Sequence, residues 1–600
     1  MPTYKAPVDD VMFVLNDVLH VERYNNLPGF AEATPDIVEA VLAEAAKFCE
    51  QVAAPLNRVG DREGCRRHPD GSVTTPPGFK DAYLKLVAGG WIGASAPAEY
   101  GGQGLPAVMT QAVREFLYSS NMAFAMYSSL ALGAVAAIYT HGSAEQKARY
   151  LPKLISGEWA GTMNLTEPQC GTDLGQLRSR AAPQPDGSYK IAGTKIFISA
   201  GEHDLTDNII HLVLARIDGA PAGTKGISLF VVPKFLINAD GSLGARNAVS
   251  CGSIEEKMGI HGNATCVMNY NGATGFLVGE PHRGLNAMFT MMNAARLAVG
   301  VQGLALSEVA YQNAVTYAKE RLAGRALTGA KFPDKPADPL IVHPDVRRML
   351  MTMRAFNEAA RALVLWTALK GDIARRSADA KERQAADDHM GLLTPVIKGV
   401  LTDLGFANTV AAQQIFGGHG YIAEHGMEQF VRDARITMIF EGANGIQALD
   451  LVGRKLPKDG GRALRAFFAE VAGYIEERGD EAAMAPYVKP LERALGDLRE
   501  ATLWFAQNAL GHPDNAGAGS TDYMQLFGLV ALGYMWCLMV DAANAKGASG
   551  NGGAGSEQKM EQKLILARFF MEKMLPATAS HLARIKTGAE STMALPADAF

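Results

Sequence analysis

The chain is poor in the features that staple small folds. Its six cysteines (Cys49, Cys65, Cys170, Cys251, Cys266, Cys537) include no C-x-x-C pair and no spacing suited to zinc or to a redox dithiol. A disulfide scaffold is excluded, a reducing compartment is expected, and no metal site is anticipated. Excess charge of one sign is also missing: 57 basic against 62 acidic side chains leave a net −5. The basic residues are scattered, so no stripe is offered to a phosphate backbone and nucleic acid is not expected as a partner. HExxH, GxSxG, the phosphate-loop pattern GxxxxGKS/T and a GxGxxG between strand and helix are all absent. The N-terminal stretch carries Asp9, Asp10 and Asp17 where a signal peptide needs a basic and then an apolar run, and it is too acidic for a transit peptide. A cytoplasmic location is expected. Long uninterrupted apolar runs are scarce too. Residues 123–140 are diluted by Ser128, Ser129, Gly133 and Tyr139, and 526–540 fall short of the ~20 residues that hydrocarbon requires, so both are expected as buried helices rather than membrane spans.

What is present is ordinary globular material, 48% apolar, 20% charged and 8% aromatic over 600 residues. At ~100–200 residues per domain this allows several domains with sizeable cores. From about Thr34 to Met163 the period is helical, with Ile37, Val38, Val41, Leu42, Ala45 and Phe48 recurring at three and four, interrupted by the glycine and proline cluster at 97–106. Short β-branched runs punctuated by Gly, Asp and Pro then follow at 189–199, 208–217, 226–237 and 266–279, and predict an antiparallel β domain. Beyond Gly284 three long amphipathic stretches and a fourth after Glu441 predict a four-helix bundle. A further helical region starts near Leu456, with GASGNGGAGSEQ (547–558) expected as a flexible loop. The predicted fold is mainly α with a central β domain. It comprises an N-terminal arm (1–38), a helical N-terminal domain (39–158), a β-barrel-like middle domain (159–280), a four-helix bundle (281–455) and an additional helical C-terminal domain (456–600).

Two segments are far more specific than composition. LTEPQCGTD (165–173) lies where helix gives way to β and is followed by KIFISAG (195–201); QQIFGGHGYIAEHGMEQFVRDARITMIFEGANGIQ (413–447) ends the bundle. With the helical, β, helical order, these motifs resemble the acyl-CoA dehydrogenase flavoproteins over about residues 40–455, and the arm and tail resemble the family's long subgroup. The resemblance implies FAD, an acyl-CoA thioester as substrate, a trans-2-enoyl-CoA product, electrons passed to an electron-transfer flavoprotein, and a homodimer or higher oligomer. Neighbouring readings are an acyl-CoA oxidase and a catalytically inactive acyl-CoA-binding subunit. The chemistry agrees: desaturating a thioester needs a base for the α-proton and a hydride acceptor that no side chain provides.

By the same resemblance Glu441 is the base. It follows the apolar residues Ile436, Met438, Ile439 and Phe440 and precedes Gly442, so a low-dielectric pocket that raises its pKa toward the working pH is expected. Its backbone N–H, together with a ribityl hydroxyl, would hold the thioester oxygen. Leu165, Thr166, Phe197, Ile198 and Ser199 match positions around the flavin ring, and Phe197 stands where many relatives carry Trp. Thr172 matches a position near the pantetheine and flavin phosphates. Arg321 matches the arginine that reaches the flavin diphosphate of a neighbouring subunit, and Gln414, Gly417 and Gly418 match the cradle for its adenosine half. Asn293, Arg296, Thr172 and Gly442 are the expected substrate contacts. Departures from the family pattern are Asn293 in place of an acid, Ala443 and Gly445 in place of adenine-side hydroxyl and amide groups, and Gly324 in place of an aromatic.

Overall fold

The computed structural model describes residues 2–548 and 554–600. In chain order, helix α1 (Val8–Phe13) is followed by α2 (Pro35–Phe48), α3 (Ala54–Glu63), a small hairpin β1–β2 (Arg66–Arg67, Val73–Thr74), α4 (Phe79–Ala88), α5 (Ala107–His141) and α6 (Ala144–Ser156). Then come β3 (Trp159–Asn164), β4 (Arg180–Pro183), β5 (Tyr189–Ser199), β6 (Asn208–Ile217), β7 (Ile227–Pro233), a hairpin β8–β9 (Phe235–Ile237, Leu243–Arg246), β10 (Val249–Ile254) and β11 (Thr265–Val278). Helices return as α7 (Gly284–Glu320), α8 (Pro344–Arg376), α9 (Ala380–Ile415), α10 (Met427–Arg435) and α11 (Asn444–Asp450). The tail adds α12 (Arg462–Arg478), α13 (Ala485–Asn508), α14 (Pro513–Ala548), α15 (Ala554–Phe569), α16 (Ala577–Lys586) and α17 (Glu590–Met593). These elements divide into two compact units. One holds the chain up to Ala46, Pro106–Ser119 and Val299–Phe600; the other holds Lys47–Leu105 and Ser120–Ala298. Of the five segments read from the sequence, 1–38, 159–280 and 456–600 each lie within one unit, while 39–158 and 281–455 contribute to both.

In the β-containing unit, the strand order is β10-β11-β5-β4-β6-β3, and β7 pairs with both β11 and β6. The ring β11, β5, β4, β6, β7 therefore closes on itself as a small barrel, filled by Ala181, Ile191, Val213, Phe230, Val232 and Ala273. Outside it, Leu212, Leu214 and Leu229 pack with Ile138, Leu154 and Met288 of the surrounding helices. Strand β6 is buried on both faces for its first eight residues, which is why it reads as a continuous apolar run. The sheet is mixed rather than antiparallel: β3 and β4 both pair parallel with β6. Parallel pairing needs a long crossover, which the 43 residues from Leu165 to Asp207 supply. Trp159–Met163, placed by periodicity in the helical stretch, are strand β3. Helix α5 is broken at Asn121 (φ −162°, ψ 91°). There Asn121 Oδ1 accepts the Phe124 N–H at 3.0 Å and caps the second half, while its Nδ2 donates to Ala53 O at 3.3 Å.

In the helical unit, the chain from Val299 along α7 packs on α9 with backbone close approach: a Cβ at Gly303 would lie 2.4 Å from Leu401 O, and one at Gly405 2.3 Å from Gly303 O. The stretch after Glu441 does not supply a fourth long helix, since α11 has only 7 residues. The tail helix α14 packs on α8 and α9 instead. Trp536 Nε1 donates to Ala355 O at 3.1 Å, and a Cβ at Gly528 would meet Val400 Cγ1 at 2.6 Å. By length and composition α5, α9 and α14 are each apolar enough to cross a membrane, α14 being longer than its apolar run suggests, yet 83% of the apolar window in α14 is buried by the protein itself. Of the expected loop at 547–558 the structure describes only the two ends, and both are helical. Residues 547–548 end α14 and 554–558 begin α15, while 549–553 lie outside the described residues. The long 322–343 connection is ordered by buried Asp338, whose carboxylate accepts from the N–H groups of Ala326 (2.9 Å), Phe332 (2.8 Å) and Lys331 (3.1 Å).

Candidate active site

The expected ring-side residues belong to the β-containing unit. Leu165 and Thr166 follow the end of β3 and are half-buried. Two residues inside the quoted motifs, not singled out from the sequence, hold this segment to β5. Lys195 Nζ donates to Glu167 Oε1 at 2.8 Å and to Leu165 O at 2.9 Å, and Ile196 N–H donates to Thr166 O at 2.9 Å. Glu167 also accepts from the N–H groups of Arg178 (2.7 Å) and Ser179 (3.0 Å). Burial opposes charge on both partners. Lys195 and these donors nevertheless hold Glu167 down to about 2, and Lys195, pulled down by burial to about 8, stays protonated at neutral pH. The signal for this pair was an acid early in LTEPQCGTD and the one charged residue of KIFISAG, a lysine.

Phe197 has φ +58° and Ala200 φ +54°, so the end of β5 departs from regular strand twice within four residues. The result is an aromatic ring turned out of the sheet with 60% of its surface exposed. Ser199, paired with Thr265, is half-buried next to it. Ile198 does not fit its expected role through its side chain, which lies in the barrel core with Ile191: regular alternation would put these two on opposite faces, and the irregularity at Phe197, where the pairing with β11 shifts register, turns Ile198 inward. Thr172 is exposed on the turn after Cys170. Asn293 is exposed on α7, whereas Arg296 is buried with its guanidinium 5.9 Å from the centre of the Phe289 ring.

Glu441, Gly442, Arg321, Gln414, Gly417 and Gly418 belong to the helical unit. Glu441 sits at φ +57° and Gly442 at φ +86°, in the turn entering α11. A left-handed conformation costs a non-glycine residue ~1–2 kcal/mol, so the surroundings must hold it. Gln447, fully buried, does so from α11: its Nε2 faces Glu441 O at 3.3 Å and Gly442 O at 3.2 Å. The expected enclosed pocket is only partly made by this chain, for Glu441 is half-buried and Ile439 is 51% exposed. Arg321 follows the last residue of α7 and has an exposed side chain with no partner among the described residues. Gln414, Gly417 and Gly418 are exposed, and nothing lies within 4 Å of where a Cβ at either glycine would be. One turn before Arg321, Tyr317 stacks on Phe416 at 4.1 Å and its hydroxyl meets His419 Nδ1 at 2.9 Å, which holds the end of α7 beside the glycine turn.

Each half suits the group that the motifs imply. An exposed aromatic ring flanked by half-buried hydroxyls can lie against a planar heterocycle, and an unpartnered guanidinium beside a turn without side chains can meet a diphosphate.

Comparison with known proteins agrees along the whole chain. Family models for the acyl-CoA dehydrogenase N-terminal domain, middle domain and C-terminal domain match residues 36–158, 162–273 and 282–456, and an acetyl-CoA dehydrogenase C-terminal-like model matches 467–596. The chain is 43% identical over 599 residues to 3-methylmercaptopropionyl-CoA dehydrogenase of Ruegeria pomeroyi, covering 98% of this chain and 99% of the relative. It is 36% identical over 622 residues to the broad-specificity linear acyl-CoA dehydrogenase FadE5 of Mycobacterium tuberculosis, covering both in full. The crystal structure of an acyl-CoA dehydrogenase from Bacillus anthracis complexed with FAD superposes with a TM-score of 0.75 over 92% of this chain and 88% of that one, at 23% identity. The chain belongs to the acyl-CoA dehydrogenase family, the FAD-dependent oxidoreductases that act on acyl-CoA thioesters.

Proposed function

We propose that the protein desaturates a linear acyl-CoA to the trans-2-enoyl-CoA, with Glu441 as the base. The observation that carries this assignment is the strained Glu441 turn itself. A glutamate occupies a left-handed conformation, ahead of a glycine in the same region, and a buried amide grips both carbonyls. Such strain is retained where the direction of a side chain matters. The Glu441 carboxylate takes the α-proton, and its backbone N–H donates to the thioester oxygen as negative charge develops there. Bound FAD supplies the hydride acceptor for the β-carbon. Phe197 and Ser199 orient the ring, while Lys195 and Glu167 keep the Leu165–Thr166 segment in register with β5. Electrons then pass to an electron-transfer flavoprotein in the cytoplasm. Arg321 and the Gly417–Gly418 turn serve the diphosphate and adenosine of a cofactor in a second copy of the chain, so the working form is at least a homodimer; Tyr421 of this region, 84% exposed, fits an interface. The names of the relatives point to methylthiopropionyl or linear fatty acyl chains.

The test is anaerobic mixing of the flavin-loaded protein with a panel of methylthiopropionyl-CoA and C4 to C18 acyl-CoAs. The parent should bleach its flavin with the preferred thioester. Glu441→Gln should keep its flavin spectrum and lose the rate by about 10²–10⁴-fold. An unchanged rate in that variant would move the base elsewhere, no bleaching with any thioester would leave an inactive binding subunit, and stoichiometric peroxide in air at the turnover rate would mark an oxidase.

A further inference from the structure

The tail helix α14 lies outside every motif that identifies the family chemistry, yet one of its side chains belongs to a polar chain that ends at the Glu441 turn. Asn444, the first residue of α11, is buried three residues after Glu441. Its Oδ1 accepts from Lys398 Nζ at 2.7 Å; its Nδ2 faces Asp403 Oδ1 at 2.6 Å and Thr402 Oγ1 at 2.9 Å. Lys398 and Thr402 are fully buried on α9. The second carboxylate oxygen of Asp403 is taken by α14: Gln525 Nε2 donates to Asp403 Oδ2 at 2.6 Å. On either side of Gln525 the two helices touch closely, since a Cβ at Gly399 would meet Met524 Sδ at 2.3 Å and one at Gly528 would meet Val400 Cγ1 at 2.6 Å.

A helix as short as α11 does not hold its place by its own hydrogen bonds. The left-handed Glu441 persists only if its neighbours over-determine it. Gln447 grips the turn from the C-terminal side, and Asn444 anchors the same helix to α9. Asn444 is in turn held by a carboxylate that is half-buried and depends on Gln525 for its other oxygen. Removing that donor leaves Asp403 to turn toward water or toward its neighbouring cations Lys398 and Arg435, and either movement takes one of its contacts from Asn444, which is left with Lys398 Nζ, Thr402 Oγ1 and Gly399 O (3.1 Å) and a less fixed position.

We propose that Gln525 and Asp403 are positioning residues for the catalytic turn, so that the tail helix fixes the backbone of Glu441 through Asn444. The proposal rests on Glu441 as base, and the experiment separates the two. Full-length, flavin-loaded Gln525→Leu and Gln525→Glu are compared with the parent and with Glu441→Gln, using the thioester with the highest kcat/KM in the panel. Gln525→Leu should lower kcat about 10–10²-fold at unchanged KM and flavin content, the size of effect that a small misplacement produces. Amide hydrogen exchange in 441–447 should accelerate, a readout that needs no turnover. In Gln525→Glu the two carboxylates oppose each other at high pH, and activity should recover relative to the parent as the pair takes up a proton on acidification and an O–H donor returns. Parental kcat and parental exchange in Gln525→Leu would overturn the proposal, as would a loss explained wholly by fewer flavins per chain. If instead Glu441→Gln reduced its flavin at the parental rate, the base assignment would fall, while faster exchange in Gln525→Leu would still show that α14 holds the turn.

Discussion

Replacing Arg361 by Met should unfasten the helical unit at its most charged buried point. Arg361 on α8 is 1% exposed. Its guanidinium donates to Glu115 on α5 (Nε to Oε1 3.0 Å and Oε2 3.1 Å, Nη2 to Oε1 2.6 Å), to Glu308 on α7 (3.1 Å) and to Asp10 on α1. Lys563 on α15 bridges Asp10 to Glu358, the latter at 2.7 Å. The substitution leaves Glu115, Glu308 and Asp10 without the cation that three separate helices share. Taking one partner from a buried ion cluster costs about 3–5 kcal/mol, because the remaining charge is uncompensated. The loss carries its own pH signature. Burial pushes Glu115 up to about 7 even with Arg361 opposing, so the folded form binds this proton more tightly than the unfolded chain does. A carboxyl raised in this way favours folding more as pH falls from about 7 toward its ordinary value near 4.5, and loss of the guanidinium moves the window higher. Urea unfolding of Arg361→Met against the parent should therefore show a deficit of about 3–5 kcal/mol at pH 8 that shrinks at pH 6, with earlier proteolysis at α1 and α15. A deficit below about 1 kcal/mol at pH 8, or one that grows on acidification, would refute the reasoning.

Gly405→Ala should destabilise the helical unit by about 1–3 kcal/mol in the same assay, because the new methyl meets the backbone of Gly303, which has no rotamer to change. Phe197→Ala should leave apo-protein stability within about 0.5 kcal/mol, since the ring is largely exposed, yet weaken FAD binding by about 2–10-fold in a fluorescence titration, the value of one aromatic stack. Burial pulls His203, His211 and His389 down to about 3 from an ordinary 6.5, so the unfolded chain takes up protons that the native chain refuses. Parental stability should fall from pH 6.5 to 5 by about 1.4 kcal/mol per pH unit for each histidine, less the opposing contribution of the carboxyls that burial raises, Glu115, Asp372 and Asp403; a flat profile would show these rings to be protonated in the fold.

Local signals carried a large part of this protein. Strands β5 and β6 have the bounds that β-branched runs and flanking turn residues predict, and α7, α8 and α9 follow from apolar residues at three and four. The two motif segments, and the glutamate between Phe440 and Gly442, were visible as strings because chemistry demands particular residues at adjacent places. Pairing was not legible. Whether β3 lies parallel to β6, or whether α14 rather than a stretch after Glu441 rests on α8 and α9, depends on contacts between residues far apart in the chain, for which periodicity is silent. Three features exist only through such contacts: the partners of Arg361, the Lys195–Glu167 pair that joins two motifs, and the chain from Gln525 to Asn444. Local sequence sets how a segment coils and which face is apolar, because those depend on φ, ψ and side-chain spacing. Only the tertiary structure decides which face meets which and which buried charge finds its counterion, because desolvation and close packing are properties of the assembled core.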